Sequence, residues 1–345
     1  MPTSSSENKP QVKYSADLAV LFEHPEWQKP LFEALDRRGV RYVPVDLKQA
    51  AFSDTDPPLA PLYFNQASPS AYVRGNTRAV PYALACMRAL QLRGVRVLNG
   101  ADAFALELSK TAQAALLNRL GAPAPRVWTF NDPGALRTRL REIPFPVLLK
   151  PEQGGSGARI MLVESFEHLE SFLAQHPEHW LPDNLLLLQE HVPYDTARGI
   201  VRMEFLGGEL LYAMRVIAHG RFNLCPAPVC NPDDGSAVAC EIPEADIQEN
   251  AAAPPAEFHP YPEVPARAVE WGRRIVAAGK LDVGGIEYLE SRDGRLMFYD
   301  INANSNLRPS VAQFFGFDPF ERVVDYLVRA IREVRQPSVP SQAMR

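Results

Sequence analysis

Long apolar runs are missing from this sequence, and so is a cysteine framework. No window approaches the roughly eighteen consecutive apolar residues of a membrane span, and the opening MPTSSSENKP lacks the apolar stretch of a signal peptide. A cytoplasmic protein with no membrane attachment is therefore expected. The 4 cysteines, Cys86, Cys225, Cys230 and Cys240, are too few and too irregularly spaced to staple a fold. The last three lie near His219, but their C-x4-C-x9-C run lacks the close CxxC pair of a zinc site. Net charge is small, at -5, which argues against broad nucleic-acid binding and leaves room for a local basic pocket facing a small anion. Neither a P-loop pattern nor a GxGxxG run occurs, and no internal repeat is found.

What is present is ordinary globular material. Hydrophobic residues make up 46% and charged residues 22% of 345 residues, enough for two or three domains of roughly 150 residues each. The 32 prolines cluster in segments such as DPPLAPLYF and NAAAPPAEFHPYPEVP, where they punctuate loops. Short apolar runs at Leu18–Phe22, Tyr42–Val45, Leu62–Asn65 and Val95–Leu98 read as strands, with helices over Trp27–Arg38 and Ala79–Arg93 ended by glycines. That is an open α/β unit reaching to about residue 104. A helix over Leu106–Leu120 follows, then the strand FPVLLK, the run EQGGSGA, the strand LLLLQEHV, two hairpins, and a helix over Phe320–Val334. The segment from 231 to 262, rich in acids, alanine and proline, reads as a surface insertion that covers a substrate entrance or mediates self-association; both ends of the chain read as tails.

The segment GGIEYLESRDGRLMFYDINANSN is the most informative. Asp293-Gly294 between alternating apolar runs predicts a two-residue hairpin turn with Arg292 facing Arg295. Stepping outward, Glu287 then faces Asp300, and Asn302 shares their side of the sheet along with Leu289 and Phe298. Two carboxylates at adjacent cross-strand positions repel, so a compensating cation is expected. Two acids and an amide oxygen suit Mg2+, with Mn2+ as an alternative; a solvent-facing hairpin is the bland reading. A second hairpin, RMEFLGGELLYAMR, turns at Gly207-Gly208 and is expected to pair Arg202 with Ala213. Arg215 would then share a face with Arg202 and Glu204, forming either an anion site or a plain ion pair.

Lys150 closes FPVLLK just before the glycine run Gly154, Gly155, Ser156, Gly157, whose backbone N–H groups suit an anion. Lys110 stands in LSKTAQAALLNRLGAPAP. In this order, Lys110, Lys150 with its glycine hairpin, LLLLQEHV, and Glu287 with Asp300-Ile301-Asn302, the chain resembles the ATP-grasp superfamily, and within it the RimK-like carboxylate-amine ligases. NQASPSAYVR and the NAxxS-like segment after Asp300 add to the likeness, which covers about residues 16–333.

The resemblance implies an α/β chain, α+β in its ATP-binding part. Its divisions would be a tail to residue 15, an N-terminal preATP-grasp domain over 16–104, a subdomain with the glycine lid over 105–186, a metal-bearing subdomain over 187–335, and a tail from 336. It implies that Lys110 and Lys150 hold ATP phosphates under a lid of Gly154, Gly155, Ser156 and Gly157. Gln189, Glu190 and Val192 would receive adenine, and Asp195 the ribose. Glu287, Asp300 and Asn302 would bind magnesium, while Arg202 and Arg215 face the transferred phosphoryl group or substrate carboxylate. Ser70, Arg74, Asn304, Ser305 and Asn306 would meet substrate. Two departures stand out: the family's usual acids are Asp then Glu, reversed here, and Ala303-Asn304-Ser305-Asn306 replaces the family's small residue, Ser, Pro and Gly. The expected activity is ATP-dependent joining of a small carboxylate, of an amino acid or short peptide, to an amine through an acyl phosphate. A phosphotransferase and a nucleotide-binding regulator without turnover are the alternatives.

Overall fold

The computed structural model describes residues 14–155, 157, 159–219, 256–305 and 307–336. Expectations for Ser156, Asn306, Cys225, Cys230, Cys240, most of 231–262, and the greater part of both tails lie outside the described residues.

The first sheet is parallel, with β1 (Leu18–Phe22), β2 (Tyr42–Asp46), β3 (Leu62–Gln66) and β4 (Arg96–Leu98) in the order β2-β1-β3-β4. The central strand β1 reads as an unbroken apolar run because both of its faces are covered. Ala19, Leu21 and Tyr63 pack into one core, while Leu18, Val20 and Phe64 pack into another beneath α1 (Pro25–Arg37) and the terminal helix Pro319–Arg335. Helix α2 (Ala79–Leu92) covers the first of these cores.

The helix expected over Leu106–Leu120 is two helices, α3 (Ala101–Leu108) and α4 (Lys110–Leu120). Ser109 separates them. Its backbone is extended (φ -125°, ψ 103°), and its hydroxyl accepts the Ala112 N–H at 3.0 Å as the N-cap of α4. The break places Lys110 at the first position of a helix.

The second sheet is antiparallel, with β5 (Val127–Phe130), β6 (Val147–Pro151), β7 (Met161–Val163) and β8 (Leu186–Glu190) in the order β5-β8-β6-β7, backed by α5 (Phe166–Gln175). The third has β9 (Ile200–Leu206), β10 (Glu209–Ile217), β11 (Glu257–Pro260), β12 (Val283–Glu290) and β13 (Leu296–Asn302) in the order β11-β10-β9-β12-β13. One face of it buries Val201, Met203, Phe205, Ile286 and Tyr288 against Ile275 and Val276 of the helix Ala266–Gly279. The opposite face carries charge.

Both hairpins of this third sheet depart from the expected register. At the β12–β13 turn, Ser291 rather than Arg292 faces Arg295: the Ser291 N–H donates to Arg295 O at 2.9 Å, with Gly294 left-handed at φ 79°. The glycine permits a longer loop than the two-residue turn expected. Tyr288 therefore pairs with Phe298, but Tyr299 then has no partner, and beyond this bulge Glu287 faces Asp300 after all. Phe298 consequently lies in the apolar core, and Met297 takes its expected place beside Leu289.

In β9–β10 the two-residue turn forms as expected, with Gly207 and Gly208 at φ 59° and 88°. Here the bulge falls at Leu211, so Arg202 pairs with Met214 and Arg215 with Val201. Arg215 thus faces the opposite side of the sheet from Arg202, and the two guanidiniums do not converge.

Candidate active site

The charged face of the third sheet is a lattice of aligned positions. One row runs Met214, Arg202, Glu287, Asp300 across β10, β9, β12 and β13; the next runs Tyr212, Glu204, Gly285, Asn302. Arg202 Nε donates to Glu204 at 2.6 Å and Nη1 to Glu287 at 2.9 Å. Gly285 makes this possible, since a Cβ there would stand 2.5 Å from Arg202 Nη2. Burial disfavours the charged guanidinium, but Glu204 and Glu287 outweigh it and hold the arginine protonated. The second oxygen of Glu204 accepts the Ser305 hydroxyl.

Glu287 is buried, and burial followed by the Asp300 charge pushes its carboxyl above the ordinary range. It accepts the Tyr299 hydroxyl at 3.0 Å. That contact exists because the bulge turns Tyr299 onto this face. Asp300 accepts the Asn302 amide at 2.9 Å and lies 3.7 Å from Lys110 Nζ. A cation in the first turn of a helix is opposed by the helix dipole, so the position of Lys110 is one that Asp300, rather than α4, makes favourable.

Lys150 projects from β6 with Nζ 3.0 Å from Gln189 Oε1 on β8 and 5.4 Å from the Tyr299 ring centroid. Burial, then the neighbouring Lys110, pull its ammonium down to about 8. The glycine loop leans on the turn that follows β3: a Cβ on Gly155 would stand 2.6 Å from Ser70 Cβ, and the Gln153 amide reaches Pro69 O at 3.4 Å. A side chain at 155 would push the two apart.

These groups line one cavity of about 250 Å³. Around it stand Lys110, Lys150, Gly154, Gly155, Gly157 and Gln189, with Arg202, Glu287, Asp300 and Asn302 on its floor. Ser70, Asn304 and Ser305 close the side nearest the first sheet. Five expected residues do not line it. Arg215 stacks on Tyr261 at 4.2 Å and binds Glu290 at 3.2 Å, on the other face. Arg74 sits behind Ser70, held by buried Glu23 and donating to the Ser70 hydroxyl at 2.9 Å. Asp195 accepts the Ala197 N–H at 3.0 Å in a local turn. Glu190 pairs its backbone with Arg126, and Val192 is packed in the core beside β10. Sequence reasoning passed over Tyr299, which only the bulge brings in, and Glu107 and Arg308, which no motif marks.

The acids fit a hard divalent cation. Glu287 and Asp300 face one another, and each already leans on a cationic side chain. Among the described residues no three Asp, Glu, His or Cys side chains form a closed cage. Mg2+ needs none, since it takes one or two carboxylates and completes its shell with water and nucleotide phosphates.

No family model matches the chain. A probable alpha-L-glutamate ligase of Haemophilus influenzae (strain PittEE) is 22% identical over 68% of this chain and 68% of its own length. The matched regions cover 35%, 68% and 50% of three curated relatives, so the likeness spans from a third to two thirds of those proteins. Among solved structures, a RimK domain ATP-grasp protein from Sphaerobacter thermophilus DSM 20745 aligns over 90% of this chain and 99% of its own, with TM-score 0.62 and 17% identity. The ATP-grasp ligase PsnB, complexed with minimal precursor, Mg and ADP, aligns over 93% of this chain and 100% of its own, with TM-score 0.60 and 16% identity. At such identities the likeness establishes the fold.

Proposed function

We propose that this chain, which has the ATP-grasp fold, is an ATP-dependent ligase joining a carboxylate to an amine through an acyl phosphate. The observation that carries this reading is the meeting of Lys110 and Lys150 with the Glu287–Asp300 pair in one cavity.

A carboxylate resists attack by an amine until its oxygen becomes a good leaving group. In the reaction proposed, a substrate carboxylate oxygen attacks the γ-phosphorus of ATP and the bond to ADP breaks, leaving an acyl phosphate. The amine nitrogen then attacks the acyl carbon, a C–N bond forms, inorganic phosphate departs with the C–O electron pair, and the amine proton passes to phosphate or water. Phosphoryl transfer depends chiefly on position and charge neutralisation. Lys150, buried on β6, and Lys110, at the start of α4, supply positive charge at the cavity wall. Arg202 presents a fixed guanidinium for the substrate carboxylate and for the oxyanion of amine attack. Glu287, Asp300 and Asn302 would hold Mg2+, which when bound neutralises phosphate charge. The glycine loop against Ser70 would keep water from the acyl phosphate.

The test is phosphate release from ATP with candidate acids and amines, alone and together, followed by mass spectrometry of the products. A ligase releases phosphate fastest with both partners and yields a hydroxamate when hydroxylamine replaces the amine. Phosphate left on an acceptor, or binding without acceptor-dependent hydrolysis, would refute the reading.

A further inference from the structure

The loop after Asn302 departs from the family pattern, and it borders two ionisable side chains that no described residue completes. Glu107, in the last turn of α3, is 5% exposed, and its Oε2 has no hydrogen-bond partner among the described residues. Among the described residues its other oxygen accepts only the Asn304 N–H, at 3.3 Å. The helix dipole opposes a carboxylate at this end, and no cation lies in ion-pair contact with it among the described residues. Arg308 is the mirror case. Its guanidinium rests on the Phe258 ring at 3.6 Å, its Nε is buried without a partner, and no carboxylate pairs with it among the described residues. Both side chains line the cavity.

A buried polar atom without a hydrogen-bond partner is unfavourable, and native folds leave few of them without reason. Arg202 Nη2 is likewise buried without a partner, but Glu204 and Glu287 already neutralise that guanidinium. What remains is one carboxylate and one guanidinium, held by a single loop: the backbone N–H of Asn304 fixes Glu107, and the backbone N–H of Arg308 is anchored on the Tyr212 hydroxyl at 2.8 Å. We propose that Glu107 and Arg308 are the two poles of an acceptor subsite for an α-amino acid, with its ammonium on Glu107 and its carboxylate on Arg308.

This assignment rests on the ligase reading and specifies its amine. Glu107 lies within the electrostatic reach of Asp300, Arg202 and Lys110, which puts the incoming nitrogen on the side of the cavity where the phosphoryl group is handled. Burial raises the Glu107 carboxyl to about 8, and an ammonium partner would draw it back to the ionised form. Glu107 and Arg308 are positioning residues in this scheme.

The experiment uses the full chain loaded with Mg-ADP and follows melting temperature on titration with each of the twenty common L-amino acids, its carboxamide and its N-acetyl derivative. At least one free amino acid should bind, with both derivatives about tenfold or more weaker, each having lost one charged pole. Glu107→Gln, which is nearly isosteric and still accepts from Asn304, should erase the preference over the N-acetyl form. Arg308→Gln should erase the preference over the carboxamide. The wild-type comparison needs neither variant to fold. Absence of amino-acid binding to the Mg-ADP-loaded protein, or both preferences surviving in their respective variants, overturns the subsite alone. Failure of Mg-ADP itself to bind defeats the ligase reading and the subsite with it.

Discussion

The β12–β13 and β9–β10 hairpins each carry one bulge, and the two bulges have opposite consequences. At Tyr299 the extra residue restores the alignment that puts Glu287 against Asp300 and turns a phenol hydroxyl onto Glu287. At Leu211 the extra residue moves Arg215 to the far face and brings Tyr212, Met214 and Val216 to the charged side. Because side chains alternate with period two, a single inserted residue decides which face a charge occupies. One hairpin supplies the proposed metal acids, and the other supplies a single arginine between two carboxylates.

The sharpest way to break this comparison is to treat the two arginines alike. Arg202→Met leaves Glu204 and Glu287 buried without their counter-ion, so turnover should fall by about 100-fold or more and stability by about 3–5 kcal/mol. Arg215→Ala loses a stacked, partly exposed ion pair, and should leave kcat/KM within about threefold of wild type and cost about 1 kcal/mol. Equal losses of turnover would mean that the faces are misassigned. Steady-state kinetics and thermal melts read both.

The next effect concerns the acid pair. Asp300→Asn removes one charge from the proposed Mg2+ site and the repulsion on Glu287 together. The Mg2+ concentration for half-maximal turnover should rise about tenfold or more, without the fall in melting temperature expected of Arg202→Met. Lys150 gives a pH test. Its ammonium, held down at about 8 by burial and then by Lys110, must be charged to meet phosphate. Nucleotide affinity should therefore be flat below that pH and fall above it, by at most about tenfold per pH unit. Lys150→Arg, always charged, should flatten the fall if it is accommodated. The smallest effect is expected of Tyr299→Phe, which forfeits one hydrogen bond worth about 1 kcal/mol and should change kcat only a few-fold.

Much of this arrangement is legible in the residues. The parallel sheet announces itself in apolar runs, and Lys110, Lys150 and the glycine loop can be ordered along the chain before any of them is seen to meet. The helix break at Ser109 is less visible, because a serine with an apolar stripe on either side reads as helix interior until its extended backbone is known. Bulges are harder still. The Glu287–Asp300 pairing is reached from a wrong turn, Asp293-Gly294, corrected by an unforeseen bulge, whereas the rightly read Gly207-Gly208 turn gives a wrong partner for Arg202. Periodicity counts residues between strands and cannot tell where one is skipped. Glu107 and Arg308 carry no local signal, since their distinction is an absence of partners that exists only once distant elements have packed.

Calorimetric titration of Mg-ATP into wild type, Asp300→Asn and Lys150→Ala tests the phosphate and metal site most directly. The account predicts binding that requires Mg2+ in the wild type, a higher Mg2+ requirement for the aspartate variant, and nucleotide affinity lower by about 10-fold or more for the lysine variant. Equal affinity in all three proteins, indifferent to Mg2+, would contradict it.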